Sequence, residues 1–200
     1  MTAIRLAQFT NNISRAKDMV GLGQSYESMT NGVVDASDMY RASLVQAVAA
    51  LDHYIHGVVL DLAVDILLGR RIAGRGEKVA LPLKGVQDIV VASSTAEREQ
   101  RARTLLAERL RRETFQRAEA ISVGLSLVGI SGIWTVSFPP PIRDAKQELN
   151  LIVSRRNQIV HQGDADPLQS GTPNPISCQD ALDAAETINS IVITLDSLVN

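Results

Sequence analysis

Apolar residues recur at steps of three and four along almost the whole chain, and runs that alternate apolar with polar residues are nearly absent. A sequence with that period buries helix stripes against one another and offers little to a sheet. The fold class that follows is all-α, a compact helical bundle of about five main helices. Its 200 residues are enough for one hydrophobic core. The division expected is a single helical domain over residues 1–200, with 1–34 as a possible helical appendage and 69–94 as a basic loop insertion.

Punctuation marks the helices. A first is expected from residue 4 to about 20, ending near Gly21 and Gly23. A second follows Asn31-Gly32, capped by Asp35 or Ser37, and runs to Leu68 with Gly69 as its stop. Residues 69–85 hold glycines, a proline and five basic side chains, and read as a connector that could meet RNA. It is no phosphate-binding P-loop, because Arg75-Gly76 stands where Lys-Ser/Thr would be needed. Ser94-Thr95-Ala96-Glu97 has capping-box form and opens a third long helix. Its first half sets seven arginines, Arg117 the last, against five glutamates, the composition of a solvated, ion-paired face. A fourth helix is expected over 143–161, then a loop over 163–175. A final helix is capped by Ser177 and Asp180, with Leu182, Ala185, Ile188, Val192, Leu195 and Val199 in one stripe.

The uncharged stretch 120–138 approaches the length of a bilayer span, but three glycines and several serines dilute it and Pro139-Pro140-Pro141 follows. A buried helix end and a turn is the expectation, with no membrane partner. Arg15, Lys17 and Asp18 interrupt the N-terminal segment before a signal-peptide core develops. The single Cys178 cannot close an intramolecular disulfide. No metal and no cofactor are expected, since no Cys/His cluster has zinc spacing, and a reducing, cytoplasmic setting fits. The net charge of −2 gives no global attraction to nucleic acid, so contact with RNA must rest on a local patch. Sixteen of the twenty basic residues are arginine, which suits bidentate phosphate contacts, although GC-rich codons give the same bias.

The chemistry concentrates in the fourth helix. At about 100° per residue, Leu149, Ile152, Val153, Ile159 and Val160 share one face, and Arg156 falls near its centre. A charge in an apolar seam needs a partner, a route to solvent, or a shared site at an interface. Asn157 and His161 stand four apart at the edge of that face. Arg, Asn and His are what metal-free RNA cleavage asks for: a base for the 2′-hydroxyl, a proton for the leaving oxygen, and cationic donors for the phosphorane. His161 can serve as base or acid near neutral pH, Arg156 can fork onto phosphate oxygens, and the Asn157 amide can orient the histidine or the ribose. The competing reading pairs Arg156 with a buried acid such as Asp52 in a structural network. His53 and His56 are three apart and lack a third ligand, which favours interhelical hydrogen bonds over a metal. Trp134 reads as core. Asp164 and Asp166 read as loop caps or solvated acids able to tune His161.

Arg155-Arg156-Asn157-Gln158-Ile159-Val160-His161 resembles the signature of the HEPN superfamily: an arginine, a polar residue, and a histidine after four to six intervening positions. The segments Ala50-Leu51-Asp52-His53-Tyr54-Ile55-His56 and Val128-Gly129-Ile130-Ser131-Gly132-Ile133-Trp134 are similar to the branch called RiboL-PSP-HEPN. The resemblance implies a helical bundle that homodimerises through the signature helix into one composite cleft. It also implies metal-independent endoribonuclease activity on RNA and a toxin or defence role with an antitoxin or defence-system partner. Arg156, Asn157 and His161 then inherit the catalytic positions. Arg155 satisfies the same spacing, and Asn157 following Arg156 favours the latter. Where the branch tends to carry an acid after the second-helix histidine, this chain has Gly57. The alternative function is a non-catalytic helical module that binds RNA or protein through the same face.

Overall fold

A computed structural model describes residues 2–73, 79–138, 142–166 and 171–199, with the backbone alone for 2, 3, 136, 137 and 142–144. Gly74 to Lys78 of the expected basic connector, and Pro139 to Pro141, lie outside the described residues. Among the described residues the chain is all-helical, without a strand, and divides into eight helices rather than about five. These are α1 (Thr2–Met29), α2 (Ser37–Leu67), α3 (Leu83–Val90), α4 (Thr95–Leu110), α5 (Ala118–Leu127), α6 (Ile133–Ser137), α7 (Ile142–Gln162) and α8 (Cys178–Val199).

The hub is α2, which packs against α1, α4, α5, α7 and α8. Leu51, Tyr54, Ile55, Val58 and Val59 are buried, because neighbours cover nearly every side of the helix. It is also the one helix among the described residues long and apolar enough to cross a membrane. Because 67% of its most apolar window is buried within the fold, that composition matches a core helix. The uncharged stretch 120–138 is not continuous: α5 stops at Leu127, and Gly129 and Gly132 take left-handed conformations before α6.

Of the segment 1–34, expected as a possible appendage, the described residues are built into the core. Phe9, Ile13, Ala16 and Val20 of α1 are buried, and the Phe9 ring meets the Tyr54 ring edge-on at 5.7 Å. The helix also runs past Gly21 and Gly23 to Met29. Mid-helix glycine costs about 1 kcal/mol against alanine. Here the packing requires it, because a Cβ on Gly23 would lie 2.8 Å from the Tyr40 ring. The connector 69–94 contains α3, whose Ile89 joins Val64, Ala102 and Leu106 in a small core of its own. Its Arg70 pairs with Asp65 and Glu99.

The third long helix is broken at 111–117. Neither glycine nor proline marks the break; a distant carboxylate makes it. Asp52 of α2 accepts the Phe115 amide at 2.6 Å and the Gln116 side chain at 3.0 Å. Phe115 is thereby drawn into the core, with its ring 4.5 Å from that of His56. Two of the three expected caps form, while α2 starts from Ala36 without a side-chain cap, Asp35 instead accepting the Ser37 amide at 2.8 Å. Ser94 Oγ accepts from the Glu97 amide at 3.1 Å, and the Asp180 carboxylate accepts from the Ser177 amide at 2.7 Å.

Candidate functional site

The turn of interest lies at the C-terminal end of α7. Leu149 and Val153 face the core, fully buried, with Ile152 and Ile159 packed beside them. Arg156, one turn beyond Val153, follows the same stripe and is half-buried. Its Nη1 donates to Asn157 Oδ1 at 3.0 Å. Its Nε is buried and meets no acceptor among the described residues. Asn157 is half-buried and His161 exposed one turn later, on the same edge of the helix. Arg156 and Asn157 are therefore in contact, while His161 neighbours Asn157 by helical register and bonds to no other described residue.

Arg156 does not pair with Asp52. Besides Phe115 and Gln116, that carboxylate holds the His56 Nδ1 at 3.2 Å. Burial pushes the Asp52 carboxyl up, but the hydrogen bonds from His56, Gln116 and the Phe115 amide outweigh it and hold it below the usual carboxylate range. His56 is raised in turn, chiefly by its bond to Asp52, against the opposing pull of burial. The His56 Nε2 reaches across to the Leu110 carbonyl at 3.4 Å, an interhelical contact. His53 is exposed. No group of three His, Cys, Asp or Glu side chains among the described residues is placed to hold a metal ion. Gly57 makes room for Arg5. A Cβ there would lie 2.8 Å from Arg5 Cδ, and Arg5 crosses α2 to reach Asp61, which Arg103 also grips at 2.6 Å.

The neighbouring Arg155 has a different fate. Its Nη2 donates to Asp164 Oδ2 at 2.8 Å and to the carbonyls of Asn174 and Pro175, both at 3.1 Å. Arg41 of α2 grips the same Asp164 oxygen at 2.9 Å and the Asn174 carbonyl at 2.7 Å. Asp164 is fully buried, with a left-handed φ of 56°. This corrects its expected role. It is not a solvated loop acid but the central acid of a latch fastening the loop after α7 onto α2 and α7. Asp166 is half-buried and donates its amide to the Thr172 carbonyl.

Three further polar residues stand on or against α7 ahead of the turn, on its α5 side. Arg117, at the N-cap of α5, donates to Ser154 Oγ at 3.2 Å. Asn150 accepts the Ala118 amide at 3.1 Å, closing the N-terminus of α5 against α7. Lys146 sits 5.9 Å from the centre of the buried Trp134 ring. The spacing of 146, 150 and 154 puts three polar residues on one face of α7, a signal present in the sequence. The approach of Arg117 has no such signal, because it depends on the break at 111–117.

On the opposite flank, between α7 and α8, lies a groove of about 480 Å³ with Leu44, Ile152 and Ala184 in its wall and Glu148, Asp180 and Asp183 along it. Arg156, Asn157 and His161 do not line it. No family model, no curated protein and no solved structure matches this chain, so its functional reading rests on its own residues.

Proposed function

We propose that this chain is a HEPN-type endoribonuclease that cuts RNA without a metal, with Arg156, Asn157 and His161 as its site. The observation that carries the reading is the division of labour between two consecutive arginines. Arg155 is consumed by a buried carboxylate and two carbonyls. Among the described residues Arg156 has a neutral amide as the partner of its Nη1 and forms no ion pair. A half-buried guanidinium with donors to spare, on the same helical turn as an exposed imidazole, is suited to a phosphodiester.

In the reaction, a base takes the proton of a ribose 2′-hydroxyl and the O2′ attacks the adjacent phosphorus. The bond to the 5′-oxygen of the next nucleotide breaks, and that oxygen receives a proton from an acid. The products are a 2′,3′-cyclic phosphate and a 5′-hydroxyl. His161 supplies one of the two proton transfers, Arg156 neutralises the phosphorane oxygens, and Asn157 holds the guanidinium in place. A second copy of α7 across a two-fold axis supplies the other imidazole. Val160, 47% exposed between these residues, is an apolar side chain that such a copy would cover. A toxin or defence role, with a partner that silences it, belongs to the same proposal.

Purified protein incubated with mixed RNA and chelator should yield 2′,3′-cyclic phosphate ends, and His161→Ala should lose about 10²- to 10⁴-fold in rate with its association state unchanged. Equal products from wild type and variant would refute catalysis by this turn. One observation favours the other reading, a helical module that binds without cutting: the groove between α7 and α8 lies away from these residues.

A further inference from the structure

The two flanks of α7 differ in charge. Toward α8 stand Glu148, Asp180 and Asp183, with Arg155 among them but already paired to the buried Asp164. Toward α5, Lys146, Asn150, Ser154, Asn157 and His161 follow one another at steps of four, four, three and four, a continuous polar stripe without an acid of its own. At about 1.5 Å per residue the stripe is roughly 22 Å long. A shallow cavity of about 390 Å³ opens along its first half, lined by Lys146, Gln147, Asn150, Leu151 and Ser154. Arg117 leans onto its middle through Ser154, and Arg156 reaches its far part through Asn157.

We infer that a single RNA strand runs along this stripe, with Lys146 and Arg117 holding the phosphates that lead to the cut site. The inference rests on the nuclease reading and adds where the substrate lies. A chain of net charge −2 has to attract RNA through a local patch, and the α5 flank of α7 supplies one that ends at the proposed site. The opposite flank would repel the same strand. Glu119 is the counter-charge on the track: it is exposed and accepts from Asn150 Nδ2 at 3.3 Å, so it sets an upper bound on affinity that its removal should lift.

The test is fluorescence anisotropy with a labelled single-stranded RNA of about 12 nucleotides, 2′-O-methylated so that it cannot be cut, titrated across a salt series. Lys146→Gln combined with Arg117→Gln should weaken binding about tenfold at low salt and lower the slope of log affinity against log salt by roughly 1.4, two phosphates at about 0.7 each. In cleavage of unmodified RNA the same variant should raise KM and leave kcat within about twofold. Glu119→Gln should tighten binding about twofold, a gain that a folding defect cannot imitate. Asp183→Asn, on the other flank, should change nothing. If wild type binds and cuts RNA while the double variant keeps its affinity and slope, the track is wrong and the nuclease reading stands. If wild type cuts nothing and binds nothing at any salt, or retains only protein partners, both are overturned.

Discussion

Two ends of the same helical turn treat their charges in opposite ways. Around Asp164, two arginines, an asparagine side chain and loop carbonyls close a buried network in which the carboxylate is matched twice over. Around Arg156, one residue after Arg155, the guanidinium meets only an amide among the described residues and leaves a buried Nε without an acceptor there. Arg155 also has an unpartnered Nε, so the contrast lies in the ion pair and the terminal nitrogens rather than in burial. A network that satisfies itself has little left for a ligand and acts as structure. A charge held close to the core without a counter-charge is kept at a cost in stability, and a bound anion is what offsets that cost.

The largest effect expected from this contrast is on stability. Asp164→Asn leaves two arginines facing one another without their acid and should destabilise the fold by roughly 3–5 kcal/mol, read from urea unfolding. A loss below about 1 kcal/mol would show that the latch is incidental. Next, Arg155→Gln should cost about 1.5–3 kcal/mol through its lost charged hydrogen bonds. Arg156→Gln should leave stability unchanged or slightly raised. If the two substitutions cost the same, the distinction between the arginines fails.

The smallest effect concerns a third pair, Asp52 and His56, intermediate between the two. His56 is raised above its ordinary 6.5, so its contribution is complete below that pH and is lost as pH climbs through the higher folded value. Asp52 is lowered below 3.8, so its contribution is complete above that pH and is lost as acid carries it through the lower folded value. The pair therefore supports the fold most between about pH 4 and 6.5. The urea midpoint should drift down above that window in wild type and not in His56→Gln, and parallel profiles would remove the pair from the account.

Much of the scaffold was legible in the chain. The start of α4 and of α8 could be read from Ser94, Glu97, Ser177 and Asp180, because caps are local chemistry. The span of α7 and its stripe could be read from period alone. What the chain does not show locally is made at a distance. The break before α5 is set by Asp52, more than sixty residues away in sequence, and α1 passes two glycines because Tyr40 packs against one of them. Arg155 and Arg156 both satisfy the expected spacing, Asn157 after Arg156 favours the second, and the ion pair that Arg155 makes with the buried Asp164 could not be read from the chain. A loop acid flanked by glycine and alanine gave no local hint of burial.

The most direct test combines two readings on one preparation of Arg156→Gln: the single-turnover rate of RNA cleavage and the urea midpoint. The account predicts a rate at least about 100-fold below wild type, with the midpoint unchanged or higher. Cleavage at the wild-type rate, or a fold as damaged as that of Asp164→Asn, would contradict it.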